Sequence, residues 1–379
     1  MPLVALVRCE DYDYSHVKTA VEIGLELLGG PERFIQSGEK ILLKPNLLAP
    51  APPEECVTTH PSVFKAVGEI LMVRGVRISY GDSPAMSSPI NTARKSGIYQ
   101  AGQELGIEMA DFNEGIKVSF PEGKQHKSFI LARGVVESDG IISIAKMKTH
   151  GLTRLTGAVK NQFGCIPGVL KGEFHAKLPE LDDFATMLVD LNLLLKPRLY
   201  IMDGIIAMEG NGPRGGKPRE MNVLMFSADP VALDATMCRM LGVKPDDVPT
   251  IRIGQKNGLG QYEEESVTLV GDPLRAFQVS DFSVARSGLA SSIKSTRLRN
   301  IIVPRPDIKK DKCIRCGICV DMCPVDPKAV DWENNEKEKP PVYNYDLCIR
   351  CYCCQETCPE GAIEIVTPPL GRVLDRFKP

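Results

Sequence analysis

The sequence predicts an α/β protein: a large, mainly parallel sheet covered by helices, followed by a small α+β module. Three observations carry this. Short apolar runs rich in β-branched residues alternate with longer segments of helical periodicity up to about residue 285. Polar, chemically unusual turns follow several of those runs. Beyond residue 306 that pattern gives way to two closely similar cysteine arrays. At 379 residues the chain is too long for one ordinary core and suits one large domain plus a small one.

The strand candidates in order are LVALVR (3–8), KILLK (40–44), VRISY (76–80), GIISIA (140–145), LYIMD (199–203), NVLMF (222–226) and SVTLV (266–270). Helical periodicity marks 17–28, 63–75 and 181–195, and Thr59, His60 and Pro61 make a helix start with proline in the first turn. Alternation of this kind argues for a parallel sheet buried on both faces. Ligands of such sheets sit beyond the carboxyl ends of strands. Four strand ends carry suitable chemistry: Lys44–Asn46, Gly81–Pro84, Lys146–His150 and the run Asp203–Gly216. Gly81–Pro84 is equally good as a plain turn. Gly210, Gly212 and Gly215 spell G-x-G-x-x-G, but Pro213 and Pro218 flank the point where a helix should begin. That stretch reads as a flexible anion-binding or lid loop, or as a connector, rather than a dinucleotide fingerprint.

The window Lys146–Gly168, KMKTHGLTRLTGAVKNQFGCIPG, is the densest in chemistry. Lys146 and Lys148 alternate as on a strand and leave on one face. Thr153 or Thr156 is expected to cap a helix through GAVKNQFG, whose N-terminus favours an anion. With Lys44, Asn46, Asn161 and Lys171 these lysines form the expected anion or substrate site; surface lysines on a loop are the alternative. Cys165, with Lys160, Lys171 and His175 nearby in sequence, is a candidate thiolate or a small packing residue. His150, His175 and Lys160 complete the candidate catalytic set, each histidine being equally readable as structural. Asp229 reads as a helix cap and Asp234 is left open; Asp82, Asp203 and Glu209 are secondary acidic candidates. Cys9, Cys56 and Cys238 read as packing residues.

Eight of the thirteen cysteines fall in CIRCGICVDMCP (313–324) and CIRCYCCQETCP (348–359). Each fits C-x2-C-x2-C-x3-C-P, the run that holds [4Fe-4S] cubes, in which the fourth cysteine ligates the other cube. This assigns Cys313, Cys316, Cys319 and Cys358 to one cluster and Cys348, Cys351, Cys354 and Cys323 to the other. Two zinc sites are the competing reading, against which the doubled run with its prolines argues. Cys353 stands outside the pattern as a bystander thiol. The segment from about Pro306 to Val366 resembles bacterial two-cluster ferredoxins, which implies a small pseudo-symmetric fold with KAVDW and GAIEIV as corresponding strands. The expected organisation is an α/β domain over 1–285, a basic linker over 286–305, a ferredoxin-like domain over 306–368 and a tail over 369–379.

A formal net charge of −2 gives no general affinity for polyanions, so nucleic acid is not an expected partner. The N-terminus lacks signal-peptide character and no apolar run is long enough for a bilayer, so a cytoplasmic location is expected. In order, LLKPNLL, VTTHP, YGDSP, the 146–168 window, GIIAMEGNGPRGG and SADPVALDA resemble the domain-of-unknown-function 362 family of iron-sulfur proteins. That resemblance covers nearly all of the large domain and implies iron-sulfur binding with a redox role. The residues themselves point to an oxidoreductase of anaerobic metabolism that passes low-potential electrons to an anionic small molecule. The alternatives are a non-catalytic electron-transfer subunit docking a partner oxidoreductase, and metallocofactor assembly or delivery. A ferredoxin or another oxidoreductase is the expected redox partner.

Overall fold

A computed structural model of the protein describes residues 1–168, 170–284, 293 and 295–375. The large domain contributes β1 (Leu3–Arg8), β2 (Lys40–Pro45), β3 (Arg77–Tyr80), β4 (Glu108–Met109), the hairpin β5 (Gly115–Ser119) and β6 (Ser128–Ala132), β7 (Gly140–His150), β8 (Arg154–Thr156), β9 (Leu199–Glu209), β10 (Lys217–Ser227) and β11 (Thr268–Gly271). Nine of these form one sheet in the order β11-β1-β10-β9-β7-β2-β3-β4, with β8 attached to β7. The pairings β2–β3, β2–β7, β3–β4 and β7–β9 are parallel. The sheet is therefore mixed and mainly parallel, because β10 runs antiparallel to both β1 and β9.

Residues alternate between two cores along each strand, as a sheet covered on both faces requires. Ala5 and Val7, Ile41 and Leu43, Ile142 and Ile144 face one core with the helices Tyr14–Leu27 and Pro61–Met72. Val4 and Leu6, Leu42, Ile141 and Ala145 face the other, with the helices Leu181–Leu195 and Pro230–Met240. His60 and Pro61 do begin a helix, the His60 ring nitrogen accepting from Ser62 N–H at 3.2 Å.

Two local expectations are corrected. KMKTH does not follow a strand: β7 continues through it to His150, all but its first residue buried. Nor do Thr153 or Thr156 cap the next helix. Thr156 Oγ1 donates to Lys146 O and Thr153 Oγ1 to Leu155 O, while the short helix Ala158–Asn161 is capped by Asp234 from another helix. Its carboxylate accepts from Ala158 N–H at 2.7 Å and Val159 N–H at 3.1 Å. The expected free anion-binding helix terminus is thus filled by the chain's own carboxylate, which sits against Gly157, where a Cβ would fall 2.1 Å from Asp234 Oδ1. Asp229 is a cap as expected, accepting from Val231 and Ala232 N–H.

The small module contains β12 (Arg305–Ile308), β13 (Val330–Asp331), β14 (Val342–Tyr343) and β15 (Ile363–Val366). β12 pairs antiparallel with β15 and β13 with β14. The stretch expected as a linker contains the helix Thr296–Ile302, and its residues 286–292 and 294 lie outside the described residues, as do 376–379 of the expected tail. The module docks on the large domain through Asn211–Gly215. Gln355 Nε2 donates to Asn211 O at 2.8 Å and Gly212 O at 3.1 Å, Asn211 Nδ2 donates to Ile363 O at 2.9 Å, and Arg214 donates to Thr357 O at 3.2 Å. A Cβ on Gly215 would stand 3.2 Å from Gly361 Cα. This corrects the reading of EGNGPRGG as a flexible anion or lid loop: its glycines allow two backbones to meet. No helix among the described residues is long and apolar enough to cross a membrane.

Replacing Asp234 by alanine leaves two buried N–H groups at a helix start without acceptors, at a cost of about 1–3 kcal/mol for each unsatisfied group. Asp234→Ala is expected to lower the denaturation midpoint by that scale; an unchanged midpoint would show that water takes over the cap.

Candidate functional site

A pocket opens where the carboxyl ends of β2 and β3 and the segment Lys160–Gly164 meet the small module. The large domain lines it with Asn46, Asp82, Lys160, Asn161, Lys171 and His175, and the small module closes it with Met322, Cys353, Glu356 and Thr357. Five expected site residues, Asn46, Asn161, Lys160, Lys171 and His175, are brought together here.

Beneath them, Lys44 is fully buried and paired with Asp82 at 2.9 Å. Lys44 also donates to Pro45 O and Asn161 Oδ1, while Asp82 accepts from Leu47 N–H at 2.6 Å and Ser83 N–H at 2.9 Å. Lys148 donates to Asn46 Oδ1 at 2.7 Å and Val57 O at 2.6 Å. With that oxygen committed, the Asn46 amide nitrogen turns to Asn161 Oδ1 at 3.3 Å. Asn161 in turn donates to Ser143 Oγ at 2.9 Å. These lysines fix the pocket's amides without lining the pocket.

Burial, with Lys160 and Lys146 nearby, pushes the Lys148 ammonium down to about 7. Lys171, held by Ser83 O at 2.8 Å and Ile166 O at 3.0 Å, is lowered to about 7 by burial and by Lys44, against the pull of Asp82. The Lys160 ammonium stands 5.9 Å from the centre of the Phe163 ring, with no carboxylate within ion-pair distance among the described residues. Burial holds His175 at about 4, so its imidazole is neutral at neutral pH, stacked on Phe184.

Three expected residues stand elsewhere. Lys146 belongs to a separate buried cluster, 2.9 Å from Asp203 and 2.7 Å from the Tyr12 hydroxyl. Cys165 is wholly buried in the core and burial pushes its thiol up to about 12, which removes the basis for a thiolate there. His150 lies behind the pocket wall. Its Nδ1 accepts from Leu152 and Thr153 N–H, leaving the proton on Nε2, which sits 2.7 Å from Glu356 Oε1 in a bent contact. Burial lowers His150 further. Burial opposes the Glu356 charge, yet His150 and Lys160 hold its carboxyl well below the usual range.

Glu356 is the residue that sequence reasoning missed. It occupies a spacer position in the second array, CQETC, and a glutamate there carries no signal until the array is seen to face another domain. Cys353, read as a bystander, lines the pocket beside Cys351.

The donor set suits iron-sulfur cubes. Cys313, Cys316, Cys319 and Cys358 surround one enclosed space together with Ile308 and Ile363. Cys348, Cys351 and Cys354 neighbour one another beside Cys323 and Tyr343. The arrays fold alike: Arg315 and Arg350 both take positive φ, 59° and 63°, and Ala329 and Ala362 each donate an N–H to the fourth cysteine of their run at 3.3 Å. No three His, Cys, Asp or Glu side chains among the described residues converge as a single ion would require. Thiolates spread around a volume fit a cube, which takes one per iron.

Residues 41–239 match a family described as a domain of unknown function (DUF362), and residues 312–362 match a 4Fe-4S dicluster domain. The chain belongs to the DUF362 family, and its dicluster domain implies two [4Fe-4S] clusters. A thylakoid-associated protein of Synechocystis sp. is 35% identical over 264 residues, 69% of this chain and 81% of that protein. Over 36 residues, 9% of this chain and 17% of the other, the sequence is 53% identical to NAD(P)H-quinone oxidoreductase subunit I of Synechococcus sp.. A lactate racemase apoprotein from Thermoanaerobacterium thermosaccharolyticum superposes with a TM-score of 0.39 at 11% identity, over 60% of this chain and 54% of that one, too loosely to support any argument.

Gly164 packs directly on the buried pair: a Cβ there would lie 1.7 Å from Asp82 Oδ1 and 3.0 Å from Lys44 Nζ. Overpacking of this kind costs about 1–3 kcal/mol. Gly164→Ala is expected to destabilise the chain by at least that much in thermal melts, and a neutral result would mean that the Lys44–Asp82 pair can move aside freely.

Proposed function

We propose that the chain is an iron-sulfur reductase that passes low-potential electrons to a small anionic molecule held in the junction pocket. One observation carries this reading. The wall of the pocket is the helix Cys353–Thr357, so a molecule among Lys160, Lys171, Asn46 and Asn161 lies against the residues flanking Cys351 and Cys354. We assign Cys313, Cys316, Cys319 and Cys358 to one cluster, and Cys348, Cys351, Cys354 and Cys323 to the pocket-side cluster. Such clusters supply single electrons at low potential.

The remaining work falls to this chain's side chains. Lys160 provides fixed positive charge to an anion, and the amides of Asn46 and Asn161, braced by Lys148 and Lys44, orient it. Lys171 is the pocket's proton donor in this reading, because an ammonium at about 7 can both hold and release a proton near neutral pH. His175 stays neutral at that pH and serves as a wall rather than an acid. Excluding water with Phe163 and Met322 strengthens every charge inside.

A second reading, a non-catalytic electron relay docked to a partner oxidoreductase, draws on the likeness of the cluster-bearing stretch to a quinone oxidoreductase subunit. Metallocofactor delivery gains no such support, since Cys165 lies in the core. We keep the reducing cell interior as the proposed setting; the Synechocystis relative's association with thylakoids adds a membrane surface as a place to find it.

Sulfate, which does not titrate near neutrality, probes the anion site. Lys171 is a cation below about pH 7 and neutral above it, so calorimetric affinity for sulfate is expected to fall as pH rises through 7. Lys171→Met flattens that profile; a profile unchanged by the substitution removes Lys171 from the site. For the redox role, anaerobically purified protein with about eight irons per chain is reduced with dithionite and mixed with panels of small carboxylates and phosphate esters. At least one class is expected to reoxidise the clusters, with Lys160→Ala slowing that reaction about tenfold or more, as loss of a buried charge contact allows, and leaving oxidation by a viologen dye unchanged. Oxidation by the dye alone would retire the reductase in favour of the relay.

A further inference from the structure

The two halves of the small module are related by an offset of 35 residues through their first cysteines, Cys313 and Cys348. Several positions of the second half depart from that symmetry in residue or in setting, and four of them lie beside its cysteines. Tyr343 stands where the other half has Ile308, and its hydroxyl donates to Cys354 Sγ at 3.2 Å. Cys353 stands where the other half has Ile318, its buried thiol beside Cys351. Arg350, 3% exposed, is folded under its own loop, donating to Cys348 O at 3.3 Å and Asn300 Oδ1 at 2.6 Å. Its counterpart Arg315 is exposed and bonds to Glu338 O. Tyr352, buried against Gly151 with its hydroxyl on Pro304 O, replaces Gly317.

Reducing a cluster adds one negative charge, so donors to its sulfurs and a nearby fixed cation favour the reduced state and raise the potential. The backbone amides of Ala329 and Ala362 serve the two clusters equally. Beyond them, the pocket-side cysteines receive the Tyr343 hydroxyl and lie beside the Cys353 thiol, where the other set faces isoleucines; a guanidinium stands near each set, Arg350 by Cys348 and Arg214 by Cys316 and Cys358. Burial separates the two sets little, since each holds two buried cysteines, Cys348 and Cys354 on the pocket side and Cys319 and Cys358 on the other.

We propose that Tyr343, with Cys353 beside Cys351, sets the pocket-side cluster at the higher reduction potential of the two. An electron from a low-potential one-electron donor protein, arriving at the exposed loop Cys313–Gly317, then comes to rest beside the pocket. The internal step moves one electron: the solvent-side cluster is oxidised by one and the pocket-side cluster reduced by one, with no bond or proton involved. The inference rests on the cluster assignment above and on the reading of the pocket as the place where electrons are used.

The test is an anaerobic titration of the full chain with dithionite, followed by electron paramagnetic resonance. Two midpoints are expected. Tyr343→Phe, which removes only the hydroxyl, moves the higher midpoint to more negative potential, leaves the lower one in place and leaves the iron content unchanged. Cys353→Ala moves the same midpoint in the same direction, which covers the case that the tyrosine variant loses iron. Movement of the lower midpoint, or of neither, in both variants overturns the proposal. If the order holds while no small molecule reoxidises the protein, the reductase reading falls and the potential ordering stands.

Discussion

The arrangement depends on one contact surface, the helix Cys353–Thr357 laid against the ends of β7 and β9. Glu356 meets His150 at 2.7 Å, Gln355 reaches the carbonyls of Asn211 and Gly212, and Arg214 answers from the other side to Thr357 O. Gly151 and Gly215 are what let the surfaces close, since a Cβ on Gly151 would fall 2.4 Å from Ile365 Cδ1. Without this contact the pocket has no wall on the side of the small module. A carboxylate buried beside a neutral histidine is costly unless other charge compensates it. Lys160, whose positive charge helps hold Glu356 ionised, supplies that compensation across the pocket. The interface and the junction pocket are therefore one electrostatic unit.

The large domain spends buried charge to build the pocket floor. Lys44 and Asp82 neutralise each other, as do Lys146 and Asp203, each pair at 2.9 Å. Pairs of this kind seldom add net stability over apolar residues of the same volume, because desolvation offsets most of the attraction. Their value here is geometric. Asp82 ties the loop after β3 to the start of the loop after β2 through Leu47 N–H, and Lys44 joins both to Asn161. Among the described residues, Lys148 and Lys171 have no carboxylate of their own within ion-pair distance, and burial lowers both to about 7. They can therefore exchange protons near neutral pH at little cost.

Much of this was legible because chemistry concentrates at strand ends. The alternating apolar runs located seven of the sheet's nine strands, and Lys44–Asn46 and Gly81–Pro84 fall at the carboxyl ends of β2 and β3 as the parallel topology implies. The spacing of the arrays identified cluster chemistry before any fold was known. The failures share a cause: each needed a partner distant in sequence. Asp234 caps a helix 75 residues upstream, which no local pattern reveals. The glycines of 210–216 looked like a lid because the backbone they approach belongs to another domain. Cys165 looked reactive beside Lys171 and His175, yet the 3-10 turn Gln162–Cys165 directs its thiol into the core.

The duplicated module shows how a symmetric carrier becomes directional. Backbone features survive in both halves: the positive φ at Arg315 and Arg350, and the matching N–H donors of Ala329 and Ala362. These depend on loop geometry, which any cube-binding run must keep. Side chains are free to differ once one half faces solvent and the other faces a pocket. Tyr343, Cys353 and Tyr352 stand on one side where Ile308, Ile318 and Gly317 stand on the other. Docking of the helix Cys353–Thr357 on the large domain is what places the second array against the pocket. The asymmetry of the module's setting thus comes from the same helix contact that makes the pocket.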